Sequence, residues 1–425
     1  MSITKAMWAG VSGLSAEGQA LGVVGDNVAN SNTIGFKQSR AVFEDVLGGA
    51  MGQNLGGGVR MARTQQLFAQ GSIVNTGQAS DLALTGDGFF VVDGTVGGVT
   101  GQFFTRAGQF TQDSQGFMVT PSGLKLQGYA ADGNGGFGAT VGDVQIPSTP
   151  LPPKATTSFD VVANLDANET PPALPWDPAN PAATSNYSTS TTVYDSLGNA
   201  HAVDVYYVKT AAGWDYHAMV DGGEVSGGTP GTPSEIASGS LTFTTNGYLD
   251  THTAGASTVD FNGATPGQNI AFNFGTPISA GGTGQDGITQ YGSPSNVTSQ
   301  EQDGYASGSL TGIQVDGDGV VNGVYSNGEQ IAIAQLAVAK FQSNDGLARA
   351  GQNVWMATRD SGEAAIAAAG SGGRAAIVAG ALEQSNVDIA QQFVEMISHQ
   401  RAFQANSKTI TTADEMLQEL VNLKR

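Results

Sequence analysis

The sequence contains no cysteine, which excludes disulfide staples, thiolate nucleophiles and thiolate metal centres. Charge is scarce too: Asp, Glu, Lys and Arg make up 13% of the 425 residues, with 17 basic against 37 acidic side chains and a formal net charge of −20. So acidic a chain lacks the basic surface that nucleic-acid phosphates require. The same imbalance disfavours an anionic membrane surface, and no apolar run reaches the ~18 residues of a membrane span, so neither nucleic acid nor membrane insertion is expected. Residues 1–20 lack a basic stretch followed by an apolar one, so any export is expected to proceed without a cleaved secretory signal peptide.

Histidine occurs four times, as His201, His217, His252 and His399. None stands at metal-ligand spacing from another, and His399 follows Glu395 by four residues, the spacing of an ordinary surface pair on a helix. Phosphate-loop, nucleophile-elbow and zinc-protease motifs are absent. Asp316-Gly317-Asp318-Gly319 resembles the start of a calcium loop, but Asn327 stands where the twelfth-position acid belongs. Asp132-Gly133-Asn134-Gly135-Gly136 matches a single calcium β-roll repeat, and a roll needs several in tandem. Both stretches suit tight turns. No catalytic, cofactor or metal site is expected, and the chain does not read as an enzyme.

What is present is glycine (61 residues) and aromatics of strand type, 18 Phe and 10 Tyr. They predict many short strands joined by turns. The two ends differ from this. Met7, Leu14, Leu21 and Val28 recur every seven residues, as do Ile389, Met396, Phe403, Ile410 and Leu417, a single-stripe helix pattern. Five glycines (Gly10, Gly13, Gly18, Gly22, Gly25) interrupt the first stripe. At about 0.8–1 kcal/mol each they cost roughly 4–5 kcal/mol of helix propensity, so this helix should form only when neighbours supply packing. Ser385 and Asp388 have capping-box spacing, which places the start of the second helix near Asn386 and its end near Leu423, about 55 Å on. Two readings fit the stripes: helices docked on their own domain, or helices that also pair with other copies. Each end carries a net charge of −1, leaving −18 for the middle.

Between the helices, Asp81–Val92 predicts a hairpin turning at Gly86-Asp87-Gly88, with further strands over Phe103–Thr111, Phe117–Thr120 and Leu124–Tyr129. A proline-rich stretch over residues 147–185 marks a junction and an exposed loop. Strands follow at Thr191–Asp195, Val203–Lys209 and Leu241–Thr245, in a region (148–300) with two basic and thirteen acidic residues. Ile331–Phe341 then returns to a buried strand pattern. The predicted fold class is mainly β, in nested domains, with long terminal α-helices forming a coiled-coil assembly domain. The expected divisions are 1–30 with 386–425 (helical), 31–76 with 371–385 (linker), 77–147 with 301–370 (inner β) and 148–300 (outer β).

Asn27–Lys37 reads NVANSNTIGFK, and this stretch resembles the signature of the bacterial flagellar rod and hook protein family. Its Asn27, Asn30, Asn32, Thr33, Gly35, Phe36 and Lys37 carry the match. Gly77–Val92, Phe104–Phe110 (FTRAGQF), Gly380–Asp388 (GALEQSNVD) and Leu420–Leu423 are similar to later segments of the family. Thr192–His201 (TVYDSLGNAH) with Val203–Lys209 resembles the outer domain of its hook-type members, and Met51–Thr64 with Phe68–Thr76 resembles their linker region. The proline-rich residues 171–181 have no counterpart, so no role is carried onto them.

The resemblance implies a subunit exported unfolded through the flagellum's own channel, adding beneath a cap and forming a curved, flexible tube that transmits torque from rod to filament. Implied partners are other copies of the chain, rod, hook-cap and hook–filament junction proteins, and the flagellar export apparatus; the implied location is the cell exterior. Asn30 and Asn32 are expected to satisfy backbone groups where the first helix ends, and Gly35 to permit the turn. A distal rod or hook-associated protein is the alternative within the family. A secreted β-rich, calcium-dependent binding module using Asp316 and Asp318 is the alternative outside it.

Overall fold

A computed structural model describes residues 3–47, 56–133 and 135–422. Residues 51–55 of the linker resemblance, Asn134 of the glycine-rich turn and Leu423 lie outside the described residues. The chain divides into two compact units: Met1–Ser148 with Gly312–Val324 and Gln330–Arg425, and Thr149–Thr311 with Tyr325–Glu329.

The first unit holds both long helices, α1 (Ile3–Ala29) and α2 (Ile389–Asn422), together with most of a twelve-stranded sheet. Nesting is explicit in the pairing. Gln330–Lys340 returns to lie antiparallel to strands laid down 200 residues or more earlier, with Ala334 opposite Ala130 and Val338 opposite Phe90, and its other edge pairs with Val320–Tyr325 and Ala365–Ala368. Its one-sided alternation gives way to a fully buried run from Leu336 to Ala339, as a strand covered on both faces requires. Phe89, Phe104, Phe341 and Trp355 fill the core with edge-to-face contacts of 4.7–5.9 Å.

The hairpin expected over Asp81–Val92 does not form. Leu82–Thr85 pairs instead with Ala376–Ala379, and Phe89–Val96 pairs with Val99–Thr105. Leu82, Ala83 and Leu84 are all fully buried, so this strand needs cover on both faces, and the glycine turn at 86–88 redirects the chain rather than folding it back. The hairpin turn lies at Gly97-Gly98, both with positive φ (58° and 84°), the residues a two-residue turn of that hand demands.

The linker division also differs. Ser39–Leu47 and Gly56–Gln66 form an antiparallel hairpin, Ala376–Ala379 belongs to the first unit's β-structure, and Ala381–Glu383 pairs with Ile73–Asn75. Helical, linker and inner β segments therefore share one unit. The backbone amides of Ala390 and Gln391 donate to Asp388 Oδ1 at 2.9 and 3.2 Å. Asp388, rather than Ser385, is thus the N-cap, and α2 starts at Ile389, three residues beyond the expected position.

The second unit is a β-structure of its own. A five-stranded antiparallel meander (Tyr187–Tyr194, Ala200–Lys209, Trp214–Asp221, Pro233–Phe243, Leu249–Ala254) accompanies a three-stranded sheet centred on Ser158–Asn164. His201, Val203, Val205 and Tyr207 alternate into its core beside Phe159, Trp214 and Phe274. The expected boundary at residue 300 moves to 311, because Asn296–Gln302 is a strand on Ser158–Asn164 with Gln302 opposite Phe159. Residues 325–329 join this unit as well, with Asn327 Nδ2 donating to the Ala306 carbonyl at 2.7 Å.

Candidate functional site

The terminal helices meet through small residues. Gly10 and Gly13 of α1 lie so close to α2 that a methyl group at Gly10 would come within 2.9 Å of Ile410 Cγ1, and one at Gly13 within 2.6 Å of Asn406 Nδ2. The buried face of α1 is Gly10, Gly13, Ala16, Ala20, Val24 and Asn27, spaced by three and four as one helix face must be. The facing stripe of α2 includes Gln392, His399, Ala402, Asn406, Ile410, Ala413 and Leu417, all buried or half-buried, with half-buried Glu395 and Met396 beside it.

The stripe expected from the sequence coincides only in part with this face. Met7, Leu14, Leu21 and Val28 are half-buried, flanking the seam rather than forming it. Met396, Ile410 and Leu417 are half-buried on α2, whereas Ile389 and Phe403 are exposed. Among the large apolar groups left uncovered are Trp8 (71% exposed), Val394 (68%), Val421 (65%), Ile397 (50%) and Phe393 (49%). His399 does not pair with Glu395. Its Nδ1 lies 2.6 Å from Glu17 Oε2 across the helix pair, while Glu395 accepts from Gln391 and Gln392.

The signature that follows α1 is an elbow. Asn27 is buried; its Oδ1 accepts from the Ser39 amide at 2.8 Å, and its Nδ2 donates to the Ser39 carbonyl and to Gln392 Oε1 of α2. Asn30 Nδ2 donates to the Asp26 carbonyl at 2.9 Å, and Thr33 Oγ1 donates to Asn30 Oδ1. Asn32 is exposed. Gly35 has φ +69°, and any Cβ there would meet Ala107 N at 2.5 Å, so only glycine fits this turn. Phe36 is buried under the Arg349 guanidinium, 5.4 Å from its ring centre.

Lys37 is fully buried, its ammonium 2.6 Å from Glu383 Oε1 and 2.8 Å from the Ala69 carbonyl. Glu383 in turn accepts from the Gly71 amide at 2.8 Å and from Arg106 Nη1 at 3.3 Å, and its backbone carbonyl accepts from Gly35 N at 2.7 Å. Burial pushes the Lys37 ammonium below its ordinary pKa, only partly offset by Glu383, and Arg106 is lowered in the same way.

Arg106 and Glu383 were not singled out in the sequence. Both lie inside the family-like segments FTRAGQF and GALEQSNVD, and in a chain so poor in charge an isolated Glu after AIVAGAL is the available signal. Glu383 pairs with Lys37 across 346 residues and with Arg106 across 277, which no local pattern encodes. The calcium-like Asp316 closes an ordinary turn, its Oδ1 accepting from the amides of Asp318 and Val320. Among the described residues no group of three or more His, Asp or Glu is arranged to hold a metal.

Four family profiles match the chain in order: "Flagella basal body rod protein" over residues 7–37, "Flagellar hook protein FlgE/F/G D1 domain" over 83–164, "Flagellar basal body protein FlaE D2 domain" over 164–305, and "Flagellar basal body rod FlgEFG protein C-terminal" over 378–423. The flagellar hook protein FlgE of Salmonella typhimurium is 37% identical over 97% of this chain and 98% of its own length. That of Escherichia coli is 36% identical over 97% and 98%, and that of Treponema pallidum 35% over 99% and 100%. The crystal structure of Helicobacter pylori flagellar hook protein FlgE2 shares the fold, with a TM-score of 0.52 at 14% identity over 72% of this chain and 98% of that one. Given these relatives along its whole length, the chain belongs to the flagellar hook protein family.

Proposed function

We propose that the chain is the structural subunit of a bacterial flagellar hook, a curved tube outside the cell that passes torque from rod to filament through a bend. The observation that carries this reading is the helix pair. α1 and α2 meet through glycine and alanine, leaving Trp8, Phe393, Val394 and Ile397 uncovered. Apolar groups of this size at both chain ends are suited to burial against further copies. Repeated head-to-tail contacts between identical subunits generate an open helical tube.

The remaining features suit such a joint. The glycine-weakened α1 is disordered before assembly, which favours export as an unfolded chain and prevents premature polymerisation. Ordering and burial then occur together at the growing tip. In the second unit the two lysines are already engaged, Lys154 with Asp303 at 3.0 Å and Lys209 over the Trp214 ring at 4.9 Å. This leaves few cations for fixed salt bridges that would resist sliding between neighbours. The partners on this reading are other copies, rod, cap and hook–filament junction proteins, and the flagellar export apparatus.

Deleting residues 1–30 and 386–425 is expected to leave a folded, monomeric β-protein, while the full chain forms curved tubes visible by electron microscopy. Polymerisation of the truncated chain overturns the proposal. A straight, rigid polymer moves it to the rod members of the family.

A further inference from the structure

We infer that Glu383 is the positioning residue that fixes the direction in which both terminal helices leave the β-structure of the first unit, and that the curvature of the tube depends on it. The second clause rests on the hook reading. The chain leaves α1 through residues 30–37 and reaches α2 through residues 383–388, and this one fully buried side chain grips both passages. Its carboxylate binds Lys37, the Gly71 amide and Arg106, while its carbonyl takes the Gly35 amide. Two buried cations share this one carboxylate, Lys37 through Oε1 and Arg106 through Oε2, and the charge of Asp87 also favours the Arg106 cation. Withdrawing that carboxylate leaves Lys37 and Arg106 repelling each other in a site closed to water. Glu383 is not one of the residues of the hydrophobic core around Phe89, Phe104, Phe341 and Trp355; its contacts run to connecting segments.

A second strap acts on the same elbow. Among the described residues, Gln352 and Asn353 are the non-glycine residues with positive φ, 52° and 58°, at a turn where Asn-Gly is the favoured pair. The strained tip delivers Asn353 Nδ2 to the Ile34 carbonyl at 2.7 Å, and Thr105 Oγ1 holds the Asn353 carbonyl at 2.9 Å. Backbone strain maintained where a loop is clamped points to a positional constraint. Asn386 adds a third tie, accepting from the Gln38 amide at 2.7 Å and donating to the Leu67 and Ala69 carbonyls.

The absence of native cysteine permits a direct test. Val99 on a strand of the first unit and Ser398 on α2 are both exposed; Val99→Cys and Ser398→Cys in the full chain carry spin labels, and their separation is read by pulsed dipolar spectroscopy in tubes diluted with unlabelled chain. The parent is expected to give one narrow distance. Glu383→Asp keeps the buried charge but is one methylene too short to hold Lys37 and Arg106 together, and it is expected to shift or broaden that distance and change the tube's helical parameters. Asn353→Gly keeps the turn and removes its strap, with the same expected outcome. An unchanged distance and unchanged tubes in both variants overturn the inference; if Glu383→Asp does not fold, Asn353→Gly alone decides. Failure of the parent to form tubes counts against the hook reading instead, and the distance in the soluble chain then still decides the role of Glu383.

Discussion

At the residue scale, several side chains act far beyond their neighbours in sequence. In the second unit, burial alone would raise the Asp303 carboxyl, but hydrogen bonds from Thr157, Ser158 and Lys154 outweigh it and hold it well below the usual carboxylate range. A depressed pKa contributes stability that is fully present above the ordinary value and is lost as pH falls below about 4. In denaturation followed by tryptophan fluorescence at a series of pH values, Asp303→Asn is therefore expected to be less stable than the parent at neutral pH, with the gap narrowing as pH falls. Gln352 supplies a second expectation. It occupies a left-handed position with its side chain exposed, so Gln352→Gly should relieve strain and stabilise the fold by about 0.5–1 kcal/mol in thermal melts. Neither residue stood out in the sequence, because hydrogen bonds and turn hand depend on partners that only the fold brings together. The signature was legible through its family resemblance. Its buried partners Arg106 and Glu383 were not, because Lys37 and Glu383 are 346 residues apart.

At the element scale, the sequence located both helices and the returning strand, but the expected stripe coincides only in part with the face the two helices share within one chain. A seven-residue repeat of large side chains reads as a core stripe, but here Gly10 and Gly13 of α1 meet Ile410 and Asn406 of α2, and the large repeat residues of α1 lie half-buried beside them. Periodicity reports which residues share a face, not which face is covered inside one chain. The five glycines of α1 accordingly divide into two classes. Gly10 and Gly13 touch α2, whereas Gly18, Gly22 and Gly25 have no atom within 4 Å of an added methyl group. Replacing the latter three with alanine should raise helix stability by about 0.8–1 kcal/mol each, visible as added helical circular dichroism in the soluble chain. On the hook reading those open positions receive neighbouring backbones, so the same variant should assemble poorly. Gly13→Leu should instead separate α1 from α2 and abolish tubes without lowering the melting temperature of the β-structure. Normal tubes from the triple alanine variant would show that neighbours do not approach α1 at those glycines.

For the whole molecule, charge is the dominant long-range quantity. The chain carries −20, and the second unit, Thr149–Thr311 with Tyr325–Glu329, contains two lysines against sixteen acidic residues. Copies brought together in a tube repel through this charge, while the apolar helix surfaces that reward assembly are indifferent to dilute salt. Screening therefore acts on one side of the balance only. The Debye length falls from about 30 Å at 0.01 M to about 8 Å at 0.15 M ionic strength, so much of the repulsion between second units disappears over that range. The critical concentration for polymerisation, measured by sedimentation, is expected to fall steadily as monovalent salt rises. The truncated chain without residues 1–30 and 386–425 bears nearly the same charge but should stay monomeric at every salt concentration. If salt instead raised the critical concentration of the full chain, attractive ion pairs would be holding the tube together, and the lysine-poor, sliding surface proposed for the second unit would be wrong.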